Sequence, residues 1–164
     1  MLKQLYYTLI FPYLNYGSMS WGNTYSTTLK QLNTKQNNCI RSTFFINNRE
    51  SALPYYQLLD ILKLENIAKL KTGILTHKLF NKPMSVPSLF HEFLLPVTNV
   101  HSYNTRYAAR YNIYRPKSRT NFGEFTFKYS ASILWESIPL CLKQLTTTNS
   151  FKRQYKVNLI SCQT

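Results

Sequence analysis

Apolar residues recur at three- and four-residue steps through most of the first half of the chain, the spacing that lines them along one side of an α-helix. Between Leu2 and Tyr16 the set is Leu2, Leu5, Tyr6, Leu9, Ile10, Tyr13 and Leu14, which predicts a helix buried on one side. Pro12 lacks an N–H and should kink it. Gly17, tolerant of a left-handed backbone, should end it. Ser26 is a good N-cap for a second helix reaching about Phe45, with Leu29, Leu32, Gln36, Cys39, Ile40 and Thr43 along one face. Ser51 and Pro54 open a third, near 53–64, striped by Tyr55, Leu58, Leu59, Leu62 and Leu64. A fourth, near 66–80, carries Ile67, Leu70, Ile74, Leu75 and Leu79, with Glu65 at its first turn, where negative charge suits the helix dipole. His77 reads as an ordinary residue of that helix's surface.

After Asn81 the pattern breaks. Pro83, Pro87 and Pro96 predict a loop over 82–100 with one short helical piece near Ser88–Leu94. Beyond it, Asn112–Arg115 and Phe122–Tyr129 have strand-like composition and are expected to pair as a short β-hairpin around Pro116–Asn121. Ser132–Ile138 predicts a short helix bearing Leu134 and Trp135. Ser150 is expected to cap a last helix, with Phe151, Tyr155 and Leu159 inward and Lys152, Arg153 and Lys156 outward. The expected fold is therefore mainly α. A small helical core occupies 1–81, a proline-containing linker 82–100, and a basic, aromatic region with the hairpin and two short helices 101–164.

Charge changes this picture. Lys and Arg number 20 against 6 acids, a formal net charge of +14, and such an excess implies a polyanionic partner, most often nucleic acid. What sets the stretch from His101 to Leu140 apart is that no acid interrupts the run between Glu92 and Glu124. Arg106, Arg110, Arg115, Lys117 and Arg119 lie there, with Tyr103, Tyr107, Tyr111 and Tyr114 set among them. Guanidinium groups fork onto phosphates and flat rings stack on bases, so this combination suits a nucleic-acid surface. Tyr103, Tyr107 and Tyr111 are the expected stacking rings, and the five cations the expected phosphate contacts.

The same composition argues against other chemistry. Cys39, Cys141 and Cys162 are odd in number and far apart, which speaks against a disulfide framework. His77, His91 and His101 show no zinc-ligand spacing, so no metal or cofactor is expected. Gly17–Thr24 has the glycine spacing of a phosphate-binding loop, but Asn23 stands where the lysine belongs and a helix precedes it. Trp21 is better read as a packing anchor at a turn. The first segment has one early lysine, Gln4 and Pro12, and is too short to span a bilayer, so an intracellular place, cytoplasmic or nuclear and without membrane attachment, is expected.

Three pieces taken together, H-S-Y-N-T-R, R-T-N-F-G-x-F-x-F-x-Y and L-W-E-S-I-P-L, resemble the C-terminal region of reverse transcriptases from jockey-like, non-long-terminal-repeat retrotransposons. The opening LYYTLIFPYLNYGSMSWGNTY is similar to the segment that follows the polymerase palm in those proteins. The resemblance implies a thumb-like helical region that grips template–primer, within a parent RNA-directed DNA polymerase. That reaction needs two divalent ions held by paired aspartates. Here Asp60 is the one aspartate, in a leucine-rich stretch, and Glu50, Glu65, Glu92, Glu124 and Glu136 are scattered. The chain alone is thus expected to have no catalytic residues: a fragment without fingers or palm that keeps a role in binding RNA, DNA or both. Two alternatives stand beside it, a module packing on the polymerase body or on a second copy, and a decayed reading frame without a role.

Overall fold

The computed structural model describes residues 2–103 and 105–162; the side chain of Leu2, and Asn104 of the basic segment, lie outside the described residues. The chain is mainly helical: α1 (Leu2–Leu5), a π turn (Tyr6–Ile10), α2 (Phe11–Asn15), α3 (Ser18–Trp21), α4 (Ser26–Phe44), α5 (Leu53–Leu58), α6 (Leu64–Asn81), α7 (Ser88–Phe93), α8 (Asn121–Glu124), α9 (Phe127–Ser137), α10 (Leu140–Lys143) and α11 (Thr148–Ser161). Its residues gather in two compact units, one within Met1–Leu70 and Lys156–Thr164, the other within Lys71–Tyr155.

In the first unit the proline acts one turn earlier than a simple kink would. Pro12 has no N–H for the Thr8 carbonyl, and the ladder before it widens so that the Phe11 N–H reaches the Tyr6 carbonyl, five residues back. The wider turn rotates the side chains around it. Tyr6 and Leu14 are buried, while Leu5, Leu9 and Tyr13 are 48%, 63% and 83% exposed, so only part of the expected apolar stripe is covered. Gly17 ends the helix in the left-handed region, as its lack of a Cβ allows (φ 59°).

Two further stops occur at non-glycine residues in left-handed backbone, one of them the bulky Phe45. Phe45 closes α4 with φ 54°, and the Ile46 N–H returns to the Arg41 carbonyl. Asp60 closes α5 with φ 51°, and the Ile61 N–H returns to the Tyr56 carbonyl. The third helix therefore ends at Leu58, not near 64, and Asp60 lies past its end; the reversal drops Ile61 and Leu62 into the interior. Asp60 pairs at the surface with Lys3, 3.1 Å away. Ser26 does not cap α4 but is its first residue, preceded by Tyr25. Likewise the Thr147 hydroxyl, not Ser150, lies at the start of α11, where it accepts the Ser150 N–H at 3.4 Å.

The core of this unit centres on Tyr6, Ile40, Ala52, Tyr56 and Ile61. Beside it Gln36, 1% exposed, makes three hydrogen bonds. Its amide donates to the Tyr6 hydroxyl (2.8 Å) and the Leu62 carbonyl (2.9 Å), and its oxygen accepts the Leu64 N–H (3.0 Å). Three chain segments are thereby joined by one side chain. Lys156, expected to point outward, is half-buried over the Tyr7 ring, its ammonium 5.8 Å from the centroid.

In the second unit the expected β-hairpin is absent. Among the described residues no strand forms, and Phe122–Tyr129 falls in α8 and the first turn of α9, with Phe125 and Thr126 between them. Thr120 supplies the cap that alternation of aromatic and polar residues concealed: its hydroxyl accepts the Gly123 N–H at 3.2 Å. Phe127, Ala131 and Trp135 then follow at four-residue spacing, and the last two are buried. Trp135 stacks on Phe80 (5.5 Å, 11°), and Phe151 on His77 (4.3 Å, 19°). His77 is fully buried, contrary to its reading as a surface residue. Its Nε2 lies 2.6 Å from the Leu145 carbonyl, so that nitrogen carries the proton, and burial pulls the imidazole below its usual pKa. The short helix expected near Ser88–Leu94 is present as α7. Phe151, Tyr155 and Leu159 face inward from α11, as their spacing predicts.

Replacing Gln36 with Leu should destabilise the protein by about 2–4 kcal/mol, because a buried hydroxyl, N–H and carbonyl all lose their partner. Denaturant unfolding of the variant measures this, and Tyr6→Phe, which removes one of the three bonds, should lose only about 1 kcal/mol.

Candidate nucleic-acid interface

The basic segment is irregular backbone, and its shape comes from bonds made outside any regular ladder. At its start, the Val97 N–H donates to the Asn112 carbonyl (3.1 Å) and the Tyr114 N–H to the Leu95 carbonyl (2.8 Å), an isolated antiparallel bridge that buries Ile113 completely. A 3-10 turn, Ala108–Arg110, follows Tyr107 and ends at Tyr111, which is left-handed with φ 55°. Such a conformation in a non-glycine residue needs support from its surroundings. The Trp135 indole N–H provides it, donating to the Tyr111 carbonyl at 2.7 Å. Trp135 on α9 thus fixes where the Tyr111 ring emerges.

This loop borders an open cavity of about 340 Å³ in the second unit, lined among others by Phe80, His101, Tyr103, Ala108, Tyr111 and Asn112. Tyr103 and Tyr111, 77% and 55% exposed, both open onto it. His101 lies 6.0 Å from Tyr103, ring to ring. Its Nδ1 is buried and has no hydrogen-bond partner among the described residues. Tyr107 is placed differently. It is half-buried, its hydroxyl 3.3 Å from the Ile113 carbonyl and 3.5 Å from a Glu136 carboxylate oxygen, so the ring braces the loop. Burial, then the charge of Glu136, raise its pKa.

Arg106, Arg110, Lys117 and Arg119 are exposed and make no ion pair among the described residues. Arg115 meets Glu136 at 4.0 Å, with both side chains about half in water, a contact worth little. A second cavity, of about 480 Å³, is lined by Phe93, Pro116, Lys117, Gly123, Phe127 and Lys128 among others. Of the cations expected at the site, Lys117 lines this cavity and none lines the first; the others are exposed.

Sequence reasoning missed Lys143. It is 7% exposed, bonds through Nζ to the Asn112 side-chain oxygen at 2.9 Å, and lies 5.5 Å above the centre of the Trp135 ring. Desolvation pulls its pKa from 10.5 to about 8; Glu136 opposes the shift and Arg110 adds to it. Positive charge thus stands directly behind Asn112 in the wall of the first cavity. Nothing in the local pattern marks this lysine as buried, since it ends a four-residue helix beside a polar run.

Among the described residues no group of three or more His, Cys, Asp or Glu side chains is placed to hold a metal ion, and no helix is long and apolar enough to cross a membrane. No family model matches the chain, and no curated protein or solved structure matches it.

Lys143 makes stability depend on pH in a defined window. Between about pH 8 and 10 the folded chain has released this proton while the unfolded chain still holds it, so stability rises with pH. Above pH 10 the trend reverses, because burial pushes the Tyr6 phenol up to about 12 and the unfolded chain then ionises first. From pH 8 to 10 the wild type should gain on the order of 2 kcal/mol relative to Lys143→Met. Thermal unfolding of both proteins across that range measures the difference.

Proposed function

We propose that the chain binds single-stranded nucleic acid through the surface built on residues 101–119, as a binding region of a reverse transcriptase of the kind its sequence resembles. The observation that carries this reading is the shared cavity of Tyr103 and Tyr111, joined in sequence by a segment bearing the exposed Arg106 and Arg110. Its volume falls in the range of small-molecule pockets, and aromatic walls accept any base, because every base has a π-face. Each stacked base contributes about 1–3 kcal/mol. The phosphates are met by Arg106, Arg110, Arg115, Lys117 and Arg119, whose positive field is nearly unopposed by acids. The role proposed is recognition, with bond making left to other groups.

One observation favours a second reading, association with another protein surface. Leu5, Leu9, Tyr13 and Tyr16 turn outward from the first helices, Tyr16 84% exposed. A partner covering that face would be sensitive to Leu9→Glu and insensitive to salt. Sedimentation at micromolar concentration tests this: the wild type should associate and Leu9→Glu should remain monomeric.

For the leading reading, a labelled single-stranded RNA should bind with an affinity that falls steeply with salt. Five phosphate contacts give a logarithmic slope of about −3.5. Replacing the five cations with alanine should flatten the slope and weaken binding at low salt. A response to salt that is flat in the wild type, or unchanged in the variant, overturns the proposal.

A further inference from the structure

The second cavity lies outside the proposed base site, which is the first. Its walls pair aromatic rings, Phe93 and Phe127, with the ammonium groups of Lys117 and Lys128. Aromatic side chains line the first cavity as well, but lysines line only the second of the two, and the two are assembled from different elements. Phe93 comes from the end of α7 and Phe127 from the start of α9. Phe127 is held from behind by Phe90 in an edge-to-face contact at 5.7 Å. Phe93 is 38% exposed at the rim.

One stretch of backbone connects the two cavities. Asn112 lines the first, and Pro116 and Lys117 line the second. Four residue steps separate Asn112 from Pro116, and an extended chain covers at most about 14 Å over that span. Arg115, exposed, stands within it. Adjacent nucleotides of one stacked strand are about 3.4 Å apart, so about four stacked nucleotides, or fewer unstacked ones, bridge the same distance. A free nucleotide, by contrast, fills one cavity only.

Taking nucleic-acid binding as given, we infer that the ligand is a single strand lying along residues 114–117, where Tyr114, Arg115 and Lys117 are exposed, with one unpaired base in the Tyr103–Tyr111 cavity and a second in the Phe93–Phe127 cavity. The intervening phosphates face Arg115 and Lys117. A duplex is a poor ligand, because its bases are stacked and paired and cannot enter either cavity. Charge selects the backbone, and the two cavities set a minimum length.

The test is equilibrium binding of thymidylate oligomers of two to ten nucleotides, alongside an abasic hexamer with the same number of phosphates as the six-nucleotide member. Affinity should rise at least tenfold from the dimer to the hexamer and level off beyond it. The abasic hexamer should fall back toward the dimer despite its equal charge. Phe93→Ala, at the cavity rim, should erase the gain from dimer to hexamer. Lys117→Gln provides a second variant at the same cavity and should narrow that gain. Equal affinity for dimer and hexamer, equal binding of the abasic and normal hexamers, or a hexamer duplex that binds as well as the single strand, each overturns the two-cavity inference while leaving binding itself intact. Failure of every oligomer to bind overturns the nucleic-acid reading beneath it.

Discussion

The hydrogen bond from the Trp135 indole to the Tyr111 carbonyl holds the turn at Tyr111, the most constrained point of the loop in the second unit. Tyr111 occupies a backbone conformation that a bulky residue adopts only under constraint. The indole is buried, stacked on Phe80 and close to Phe151, so it is a rigid donor. Around that point the other supports converge: Tyr107 reaches the Ile113 carbonyl and Lys143 reaches Asn112. A loop without a ladder thereby acquires one shape, and a cavity survives beneath it.

The first unit solves the same problem with an amide. Gln36 satisfies a hydroxyl, a carbonyl and an N–H that would otherwise be buried without partners. In both units the polar side chains inside are not errors in the hydrophobic pattern. They let helices end abruptly, and they let chain segments without regular structure enter the interior.

Electrostatics works by omission. Six acids against 20 bases leave most cations without a counter-charge, and the surface ion pairs Lys3–Asp60 and Arg115–Glu136 are well solvated. Little stability is drawn from charge, and the surplus remains available to a polyanion. Lys143 is the most buried cation: its charge is withdrawn from water and kept behind Asn112, where it adds to the potential of the cavity wall.

The sequence by itself determined the helical class, the positions of α4, α6, α7 and α11, the inward face of Phe151, Tyr155 and Leu159, and the stop at Gly17. Each rests on local periodicity or on one residue's backbone preference, which neighbours in sequence suffice to express. It misled at Phe122–Tyr129, where period-two alternation competed with the Thr120 cap and the four-residue spacing of Phe127, Ala131 and Trp135. It was silent about Phe45 as a helix end, because a bulky aromatic side chain disfavours left-handed backbone, and about Asp60, whose side chain tolerates that region without requiring it; at Asp60 the reversal is stabilised by burial of Ile61 and Leu62. The aromatic and basic residues of the site were legible as composition. That Tyr103 and Tyr111 share a cavity while Tyr107 turns away to brace the loop was decided by tertiary structure alone, because Trp135 and Glu136, the partners that orient Tyr111 and Tyr107, come from a helix two dozen or more residues further along the chain.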